Sequence, residues 1–335
     1  FITAVEQAKA KENGFLAQLT SELAARVKGR IPVVGVTGTG GAGKSSLVDE
    51  LITRFLNDFN DKSISIISVD PSRRKTGGAL LGDRIRLNSL SRDRVFLRSM
   101  ATRNTQSEIA ESLEEAILVL KASGFDLVIV ETAGIGQGDA AVVPLVDVAL
   151  YVMTSEFGAT SQLEKIDMLD FADLAAINKF DRKGSEDALR DVRKQFQRNR
   201  RLFDRRPDEM PVYGTIAARF NDDGVTALYH AILDSIKDKT GIIWKSSLPR
   251  TGLKHSSSKT IIIPPERTRY LSEISDTIRY YHRWVEEQAE TAENIWRIDG
   301  ALAELAELEE KSADLTDSLM ERRARLTERL NPQCH

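Results

Sequence analysis

Residues 32–45, PVVGVTGTGGAGKS, place an apolar run directly before a glycine-rich loop that ends in Lys44 and Ser45. Residues 38–45 match the pattern G-x-x-x-x-G-K-[ST] in full. The apolar run predicts a strand and residues 44–57 predict a helix, so the loop joins the two. Glycines let the backbone approach a phosphate closely, and the amides at the start of a helix point toward it. This stretch predicts a nucleoside triphosphate site in an α/β fold.

The residues of this loop have separate predicted roles. Lys44 is expected to reach the β- and γ-phosphate oxygens and to offset their charge during hydrolysis, and the Ser45 hydroxyl is expected to ligate Mg²⁺. Backbone amides along the loop are expected to donate to phosphate oxygens. These amides belong to Gly41, Ala42, Gly43, Lys44, Ser45 and Ser46.

Short apolar runs alternate with amphipathic stretches from residue 31 to about residue 241. Strands are predicted over 32–37, 63–69, 126–130, 146–153, 174–177 and 212–216, and helices over 44–57, 106–122, 185–198 and 226–239. Several runs are apolar on both faces, as strands of a covered parallel sheet are. Strands that alternate with helices indicate a doubly wound, mostly parallel α/β sheet.

The remainder of the chain is predicted to be largely helical. We expect an N-terminal helix over 1–30, the nucleotide-binding domain over 31–243, a linker over 244–265 and a helical extension over 266–335. Apolar residues recur every three or four positions after Tyr270, which predicts a long amphipathic helix. Asp299-Gly300 is expected to interrupt it, and Pro332 to stop a second helix.

Carboxylates follow predicted strands where a magnesium ion beside phosphates needs ligands. Asp70 follows the strand 63–69. Glu131 follows the strand 126–130 and opens Glu131-Thr132-Ala133-Gly134, a variant of the phosphate-sensing D-x-x-G turn. Asp83 lies in a glycine-rich loop at 77–83. These three carboxylates are candidate metal ligands beside Ser45.

Asn178-Lys179-Phe180-Asp181 follows the strand 174–177 and matches N-K-x-D. The Asp181 carboxylate can accept hydrogen bonds from both N1–H and the exocyclic amine of guanine, and adenine offers no such pair. Asn178 and Lys179 are expected to brace the loop and pack along the base. A backbone amide in the segment 215–218 is expected to contact the guanine oxygen, the candidates being Thr215, Ile216 and Ala217. GTP and GDP are therefore favoured over adenine nucleotides.

Composition excludes several classes of function. Forty-seven basic residues against 50 acidic give a net charge of −3, so a general attraction to nucleic acid or anionic lipid is not expected. No apolar run approaches the roughly 18–20 residues that span a bilayer. The single cysteine, Cys334, excludes a disulfide framework and a multi-cysteine metal site. We expect a cytoplasmic protein that binds neither nucleic acid nor membrane.

Three stretches resemble the MeaB/ArgK group of GTPases. They are Val69-Asp70-Pro71-Ser72, Leu81-Gly82-Asp83-Arg84 and Val130-Glu131-Thr132-Ala133-Gly134-Ile135-Gly136-Gln137. Members of this group are G-protein chaperones of adenosylcobalamin-dependent acyl-CoA mutases. The resemblance covers about residues 1–243. It implies a P-loop GTPase fold and a Mg²⁺-dependent GTPase that gates adenosylcobalamin delivery to a mutase and protects the cofactor.

The tail resembles the linker of fused isobutyryl-CoA mutases. The resemblance rests on Thr260-Ile261-Ile262-Ile263-Pro264-Pro265-Glu266-Arg267 and Tyr281-His282-Arg283-Trp284. In that family the chaperone lies between a cobalamin-binding domain and a mutase domain, which implies both as partners. The D-x-H-x-x-G motif, which supplies a histidine to cobalamin, is not found in the sequence. We therefore expect a partner domain to hold adenosylcobalamin, and we also expect a homodimer.

The resemblance also implies roles for single residues. Ser45, Asp70, Asp83 and Glu131 would hold or organise Mg²⁺, and Asp70 would also polarise the attacking water. Switch regions are implied at 70–87, 131–139 and 155–162. Ile135 stands where Ras-like proteins carry a water-orienting glutamine, and Gln137 is the candidate substitute. Slow intrinsic hydrolysis that a partner accelerates is the expectation.

Three alternatives stay open. A metal-insertion GTPase of the urease or hydrogenase maturation type would carry a histidine-rich tract or paired cysteines, and the sequence has neither. A P-loop transferase would prefer ATP, which Asp181 argues against. A module that binds nucleotide without hydrolysing it is compatible with Ile135, although the intact Lys44 and Ser45 weigh against it.

Overall fold

The computed structural model describes residues 2–3, 5, 15–71, 87–91, 93–102, 112–132, 139–157, 166, 168–257, 270–307 and 313–331. Within these ranges seven parallel strands form one sheet in the order β3-β2-β4-β1-β5-β6-β7. The strands are β1 (Val33–Gly38), β2 (Ile64–Pro71), β3 (Val95–Thr102), β4 (Leu127–Thr132), β5 (Val148–Met153), β6 (Leu174–Asn178) and β7 (Val212–Thr215). The predicted parallel α/β sheet is confirmed, and β1 lies at its centre between β4 and β5.

Helices cover both faces of this sheet. The α-helices with given bounds in the first 260 residues are α1 (Phe15–Arg26), α2 (Lys44–Asp58), α3 (Leu113–Ala122), α4 (Met168–Phe171), α5 (Ser185–Asn199) and α6 (Asp223–Thr240). Phe55 of α2 and Ile236 of α6 belong to one buried cluster with Val34. Val33, the next residue along β1, belongs to a second cluster with α1 and α3. A third cluster joins α4 and α5 to β5, β6 and β7. Successive strand residues thus point to opposite faces, and both faces are buried.

β3 is a strand that the sequence analysis missed, whereas the six predicted strands coincide with β1, β2 and β4–β7. β3 lies at the edge of the sheet, where it pairs with β2. Met100 is buried, but Phe96 is 40% exposed and Arg98 interrupts the apolar pattern. An edge strand needs no continuous apolar run, so the pattern that identifies central strands did not identify this one.

One helix boundary differs from the prediction for an identifiable reason. α6 begins at Asp223 rather than at residue 226, because the Asp222 carboxylate caps it by accepting a hydrogen bond from the Val225 N–H at 2.9 Å. The described part of the helix predicted over 106–122 begins at Leu113. Residues 106–111 lie outside the described residues.

The chain divides into two compact units, Phe1–Thr260 and Ile261–His335. The domain boundaries predicted after residues 30, 243 and 265 stay predictions. In the second unit α7 (Tyr270–Glu307) and α8 (Ala313–Arg329) form an antiparallel pair. The Asn331 N–H donates to the Gln288 side-chain oxygen at 2.7 Å, and Arg323 pairs with Asp299 at 2.5 Å.

The predicted interruption at Asp299-Gly300 is wrong, because α7 continues through both residues to Glu307. A glycine inside a helix costs only about 1 kcal/mol relative to alanine, which a helix of 38 residues tolerates. Asp299 is also held by its ion pair with Arg323 of α8. Of the helices described, none is both long and apolar enough to cross a membrane.

Candidate nucleotide-binding site

The phosphate loop, residues 38–45, connects β1 to α2 at the carboxyl edge of the sheet. The Thr39 N–H donates to the Val152 carbonyl at 3.1 Å and so fixes the loop to β5. Gly43 precedes α2 in the left-handed conformation, at φ 85°. A Cβ at this position would lie 2.6 Å from the Asn178 side-chain nitrogen, so a larger residue would meet both backbone strain and a close contact. The first amides of α2 have no acceptor within the helix, which suits a phosphate ligand.

Lys44 lies within the curve of this loop. Its side chain is buried, and Nζ donates to the Gly38 carbonyl at 2.8 Å and to the Thr39 carbonyl at 3.1 Å. Two loop carbonyls therefore hold the ammonium group beside the amides of α2. A buried cation at a helix N-terminus concentrates positive potential where phosphate oxygens would bind.

Ser45 and Glu131 meet although they are far apart in the sequence. β1 and β4 are neighbours, with Val36 opposite Glu131, so the end of β4 lies beside the start of α2. The Ser45 hydroxyl donates to the Glu131 carboxylate at 2.7 Å, and Glu131 is buried. A hydroxyl and a carboxylate oxygen side by side form the kind of donor set that Mg²⁺ takes.

Other predicted site residues are described only in part. The backbone of Asp70 belongs to β2, but its side chain lies outside the described residues. Asp83 and Gln137 lie outside them entirely, as does most of the three predicted switch regions. The roles of Asp70, Asp83 and Gln137 therefore stay predictions.

Asn178, at the end of β6, joins the phosphate loop to the residues that are predicted to contact the base. The residue is 2% exposed. The side-chain nitrogen donates to the Ala42 carbonyl at 2.8 Å, while the side-chain oxygen accepts from the Thr215 hydroxyl at 3.2 Å and from the Ala217 N–H at 3.1 Å. One buried amide group thus fixes three segments relative to each other.

The base loop, residues 178–182, turns sharply after Asn178. Lys179 has a left-handed backbone, at φ 57°, and its ammonium group donates to the Gly41 carbonyl at 2.7 Å. The Phe180 N–H donates to the Thr215 carbonyl at 3.0 Å. Asp181 is consequently exposed at the tip of the turn. A cleft of about 690 Å³ adjoins its carboxylate and is lined by Ile216 as well.

The base segment, residues 215–218, follows β7. The Ile216 N–H donates to the Asp222 carboxylate at 3.1 Å, and the Ala217 N–H donates to Asn178. Two of the three amides predicted to contact the guanine oxygen are therefore engaged within the protein. Ala218 follows them and is exposed.

Asp222 and Ser256 lie beside the base segment, and the sequence analysis named neither of them. The Ser256 hydroxyl donates to the Asp222 carboxylate at 2.8 Å. Burial raises the pKa of Asp222, and hydrogen bonds from the Ile216 N–H and the Ser256 hydroxyl offset part of this rise. An aspartate three residues before Val225 has the spacing of a helix cap, and that was the available signal for Asp222. No local pattern indicates Ser256.

The fold and the site define a P-loop nucleotide-binding protein of the GTPase class. More particularly, the chain belongs to the MeaB family, because the family model described as methylmalonyl Co-A mutase-associated GTPase MeaB matches residues 1–251.

Similar proteins extend this finding. The fused isobutyryl-CoA mutase of Geobacillus kaustophilus is 53% identical over 323 residues, which are 96% of this chain and 30% of that protein. The fused isobutyryl-CoA mutase of Cupriavidus metallidurans is 57% identical over 293 residues, which are 87% of this chain and 26% of that protein. The chain thus spans less than a third of the length of these two relatives.

A solved structure supports the fold. The LAO/AO transport system kinase superposes with a TM-score of 0.51 at 19% identity, covering 98% of this chain and 92% of that one. The resemblance stated from the sequence is confirmed by the family match and by these relatives.

Proposed function

We propose that this chain binds GTP in the presence of Mg²⁺, hydrolyses it, and uses this cycle to gate adenosylcobalamin delivery to an acyl-CoA mutase and to protect the cofactor. The observation that carries the guanine-nucleotide part is the Asn178 network. It ties the phosphate loop, through the Ala42 carbonyl, to Asn178 and the base segment, and Asp181 follows Asn178 by three residues in the base loop. A carboxylate in that position favours guanine.

Each described residue has a proposed role in binding and hydrolysis. Amides of the phosphate loop donate to phosphate oxygens, and Lys44 offsets the charge that develops on the oxygens of the leaving group. Asp181 accepts from N1–H and the amine of guanine. The Ala218 N–H donates to the guanine oxygen, since the amides of Ile216 and Ala217 already donate to Asp222 and Asn178.

The oxygen donors at Ser45 and Glu131 suit magnesium, and this supports the proposed Mg²⁺ requirement. We assign Ser45, Asp70, Asp83 and Glu131 to hold or organise the ion. Bound Mg²⁺ offsets negative charge on the β- and γ-phosphate oxygens. Asp70 would also polarise the attacking water, and Gln137 would help to orient it for in-line attack on the γ-phosphate.

The relatives' names support a mutase as the partner. We propose that an isobutyryl-CoA mutase and an adenosylcobalamin-binding domain act with this chain in one polypeptide, and that the partner domain holds the cofactor. A homodimer in the cytoplasm is proposed as the functional state.

The guanine assignment is tested by measuring turnover of GTP, ATP and XTP with and without Mg²⁺, for the wild type and Asp181→Asn. Xanthine carries an oxygen where guanine carries its amine. Asp181→Asn should therefore turn over GTP about a hundredfold more slowly, and XTP about a hundredfold faster, than the wild type does. Asp238→Asn, an exposed acid of α6 that does not line this cleft, is the matched control and should behave as wild type. Equal use of ATP and GTP by the wild type would overturn the assignment.

The gating role needs a separate experiment. The chain is mixed with the cofactor-free mutase and adenosylcobalamin, and cofactor loading of the mutase and GTP turnover are followed together by absorbance and phosphate release. Transfer that depends on the nucleotide supports gating. Cofactor transfer at the same rate with and without GTP turnover would refute the gating role, and the proposal of GTP hydrolysis would stand.

A further inference from the structure

Residues 254–257, here called the edge segment, pair with the edge of the sheet at β7. The Gly214 N–H donates to the Lys254 carbonyl, and the Ser256 N–H donates to the Gly214 carbonyl, both at 2.9 Å. His255 and Gly214 form a parallel bridge. Gly214 belongs to β7 and immediately precedes the base segment. The edge segment is therefore hydrogen-bonded to the strand that leads into the base segment.

A side-chain contact reinforces this backbone pairing. One oxygen of the buried Asp222 carboxylate accepts from the Ile216 N–H at 3.1 Å, the Val225 N–H at 2.9 Å and the Ser256 hydroxyl at 2.8 Å. These donors come from the base segment, the start of α6 and the edge segment. A buried carboxylate needs such donors to offset the loss of water, so the three segments stabilise one another through it.

Packing leaves little room for the edge segment to shift. A Cβ on Gly224 would lie 2.1 Å from the Gly214 carbonyl oxygen and 2.7 Å from the Ser256 nitrogen. The start of α6 is therefore in close contact with both β7 and the edge segment. The Ser257 N–H also donates to Asp223 at 2.9 Å.

We propose that Asp222 and Ser256 are positioning residues for guanine recognition, and that docking of the edge segment and binding of the guanine base are thermodynamically coupled. The proposal rests on the proposed guanine specificity. Asp222 fixes the Ile216 peptide and Asn178 fixes the Ala217 peptide, so the orientation of the next peptide, at Ala218, depends on both. Because coupling is reciprocal, a bound guanine nucleotide stabilises the edge segment as much as the docked segment favours guanine.

The test compares dissociation constants for GDP and ADP in the wild type, Ser256→Ala and Asp222→Asn. Loss of one hydrogen bond to a charged group should lower the preference for GDP over ADP by about fivefold in Ser256→Ala, and by more in Asp222→Asn. Thr251→Ala is the matched control, since its hydroxyl donates to the Leu253 carbonyl outside the edge segment. It should keep the wild-type preference.

The ratio of the two constants separates positioning from simple destabilisation. If Ser256→Ala weakens GDP and ADP equally, or weakens neither, the proposal is overturned while the guanine specificity of the wild type stands. If the wild type shows no preference for GDP, the proposed function and this inference both fail.

Hydrogen exchange of the wild type provides a measurement that needs no variant. GDP should slow exchange of the Gly214 and Ser256 amides several-fold more than ADP does at equal saturation. Equal protection by the two nucleotides would contradict the coupling.

Discussion

The two ends of the proposed nucleotide site are built differently. At the base end, the Asn178 side chain makes its hydrogen bonds to other parts of the protein, and those partners are buried backbone and hydroxyl groups. At the phosphate end, a cation and a carboxylate lie in the loop and at a strand terminus, where they are suited to a charged ligand. The base end is therefore a part of the folded framework. The phosphate end is a set of charges that the framework holds in place.

This contrast predicts that changes at the phosphate end affect chemistry more than stability. Lys44→Ala should lower GTP turnover by at least about a hundredfold, because a donor to the transition-state oxygens is lost. The free energy of unfolding should change by less than about 1 kcal/mol, since removing a buried charge offsets the loss of its hydrogen bonds to the two loop carbonyls. Single-turnover hydrolysis and urea unfolding measure the two quantities. Lys62→Ala, which removes a cation paired with Asp126, should leave turnover unchanged. A large loss of stability in Lys44→Ala would show that the phosphate end, like the base end, contributes to the stability of the fold.

At the base end, one substitution should impair both properties. Asn178→Ala removes the hydrogen-bond partner of three groups, which are the Ala42 carbonyl, the Thr215 hydroxyl and the Ala217 N–H. We expect the free energy of unfolding to fall by about 2–4 kcal/mol and GDP affinity to fall by tenfold or more. Urea unfolding and calorimetric titration are the measurements. Asn199→Ala, at the end of α5 where it accepts from Gln195, should cost under about 1 kcal/mol. Wild-type stability in Asn178→Ala would show that the network does not belong to the framework.

Glu131→Gln sharpens the comparison within the phosphate end. The amide keeps the size of the carboxylate and an acceptor for Ser45, but it removes the negative charge. The Mg²⁺ concentration for half-maximal GTP turnover should rise about tenfold, with little change in unfolding. Titration of Mg²⁺ at saturating GTP measures it, and Glu114→Gln, on the exposed first turn of α3, serves as the control. An unchanged Mg²⁺ requirement would exclude Glu131 from the metal site.

A substitution outside both ends should affect stability alone. Asp58, at the end of α2, accepts hydrogen bonds from the Ser247 N–H at 2.7 Å and the Tyr229 hydroxyl at 2.8 Å. Burial raises the pKa of Asp58, but hydrogen bonds from Ser246, Ser247 and Tyr229 outweigh it, so the pKa lies below the ordinary value. Asp58→Asn should cost about 1–2 kcal/mol at neutral pH and leave GTP turnover unchanged.

The pH dependence of this cost has a definite sign. A carboxyl with a lowered folded-state pKa stabilises the protein above its unfolded pKa, and this contribution is lost as the pH falls through the folded value. The difference between wild type and Asp58→Asn in urea unfolding should therefore shrink as the pH falls below 3.8. A difference that stays constant over this range would show that the ionised form is not the one that stabilises.

The sequence predicted both ends because each depends on a short motif at the end of a buried strand. Lys44 and Asn178 are recognisable from their immediate neighbours. Ser45 and Glu131 lie 86 positions apart, yet both were predicted as magnesium ligands because each stands at the end of a predicted strand or loop beside the phosphates. The partners that complete the base end were not predictable in this way. Ser256 meets Asp222 across 34 positions, and serines and aspartates are too common for their spacing to indicate a contact.

The same reasoning explains the errors elsewhere. β3 was not predicted because Arg98 and the exposed Phe96 interrupt the apolar run of this edge strand. The prediction that Gly300 ends the helix was wrong because the free-energy cost of one glycine is small against the contacts of a long helix. The ion pair between Arg323 and Asp299 could not be predicted, because the two residues lie far apart in the sequence.

The pairing of Gly214 with Lys254 and Ser256 also bears on how this domain can be carried from one polypeptide to another. A strand at the edge of a sheet presents backbone groups that readily recruit a strand from a neighbouring molecule, and here the chain supplies its own partner after β7. Trp244, which packs against Phe55 at 5.1 Å, lies on the way to that partner. A transferred domain that ended at residue 243 would lose the Trp244 contact and the pairing of β7 with residues 254–256. The unpaired edge of β7 would then be open to strands of other molecules. We therefore expect a transplanted domain to need residues through 257, beyond β7 and α6.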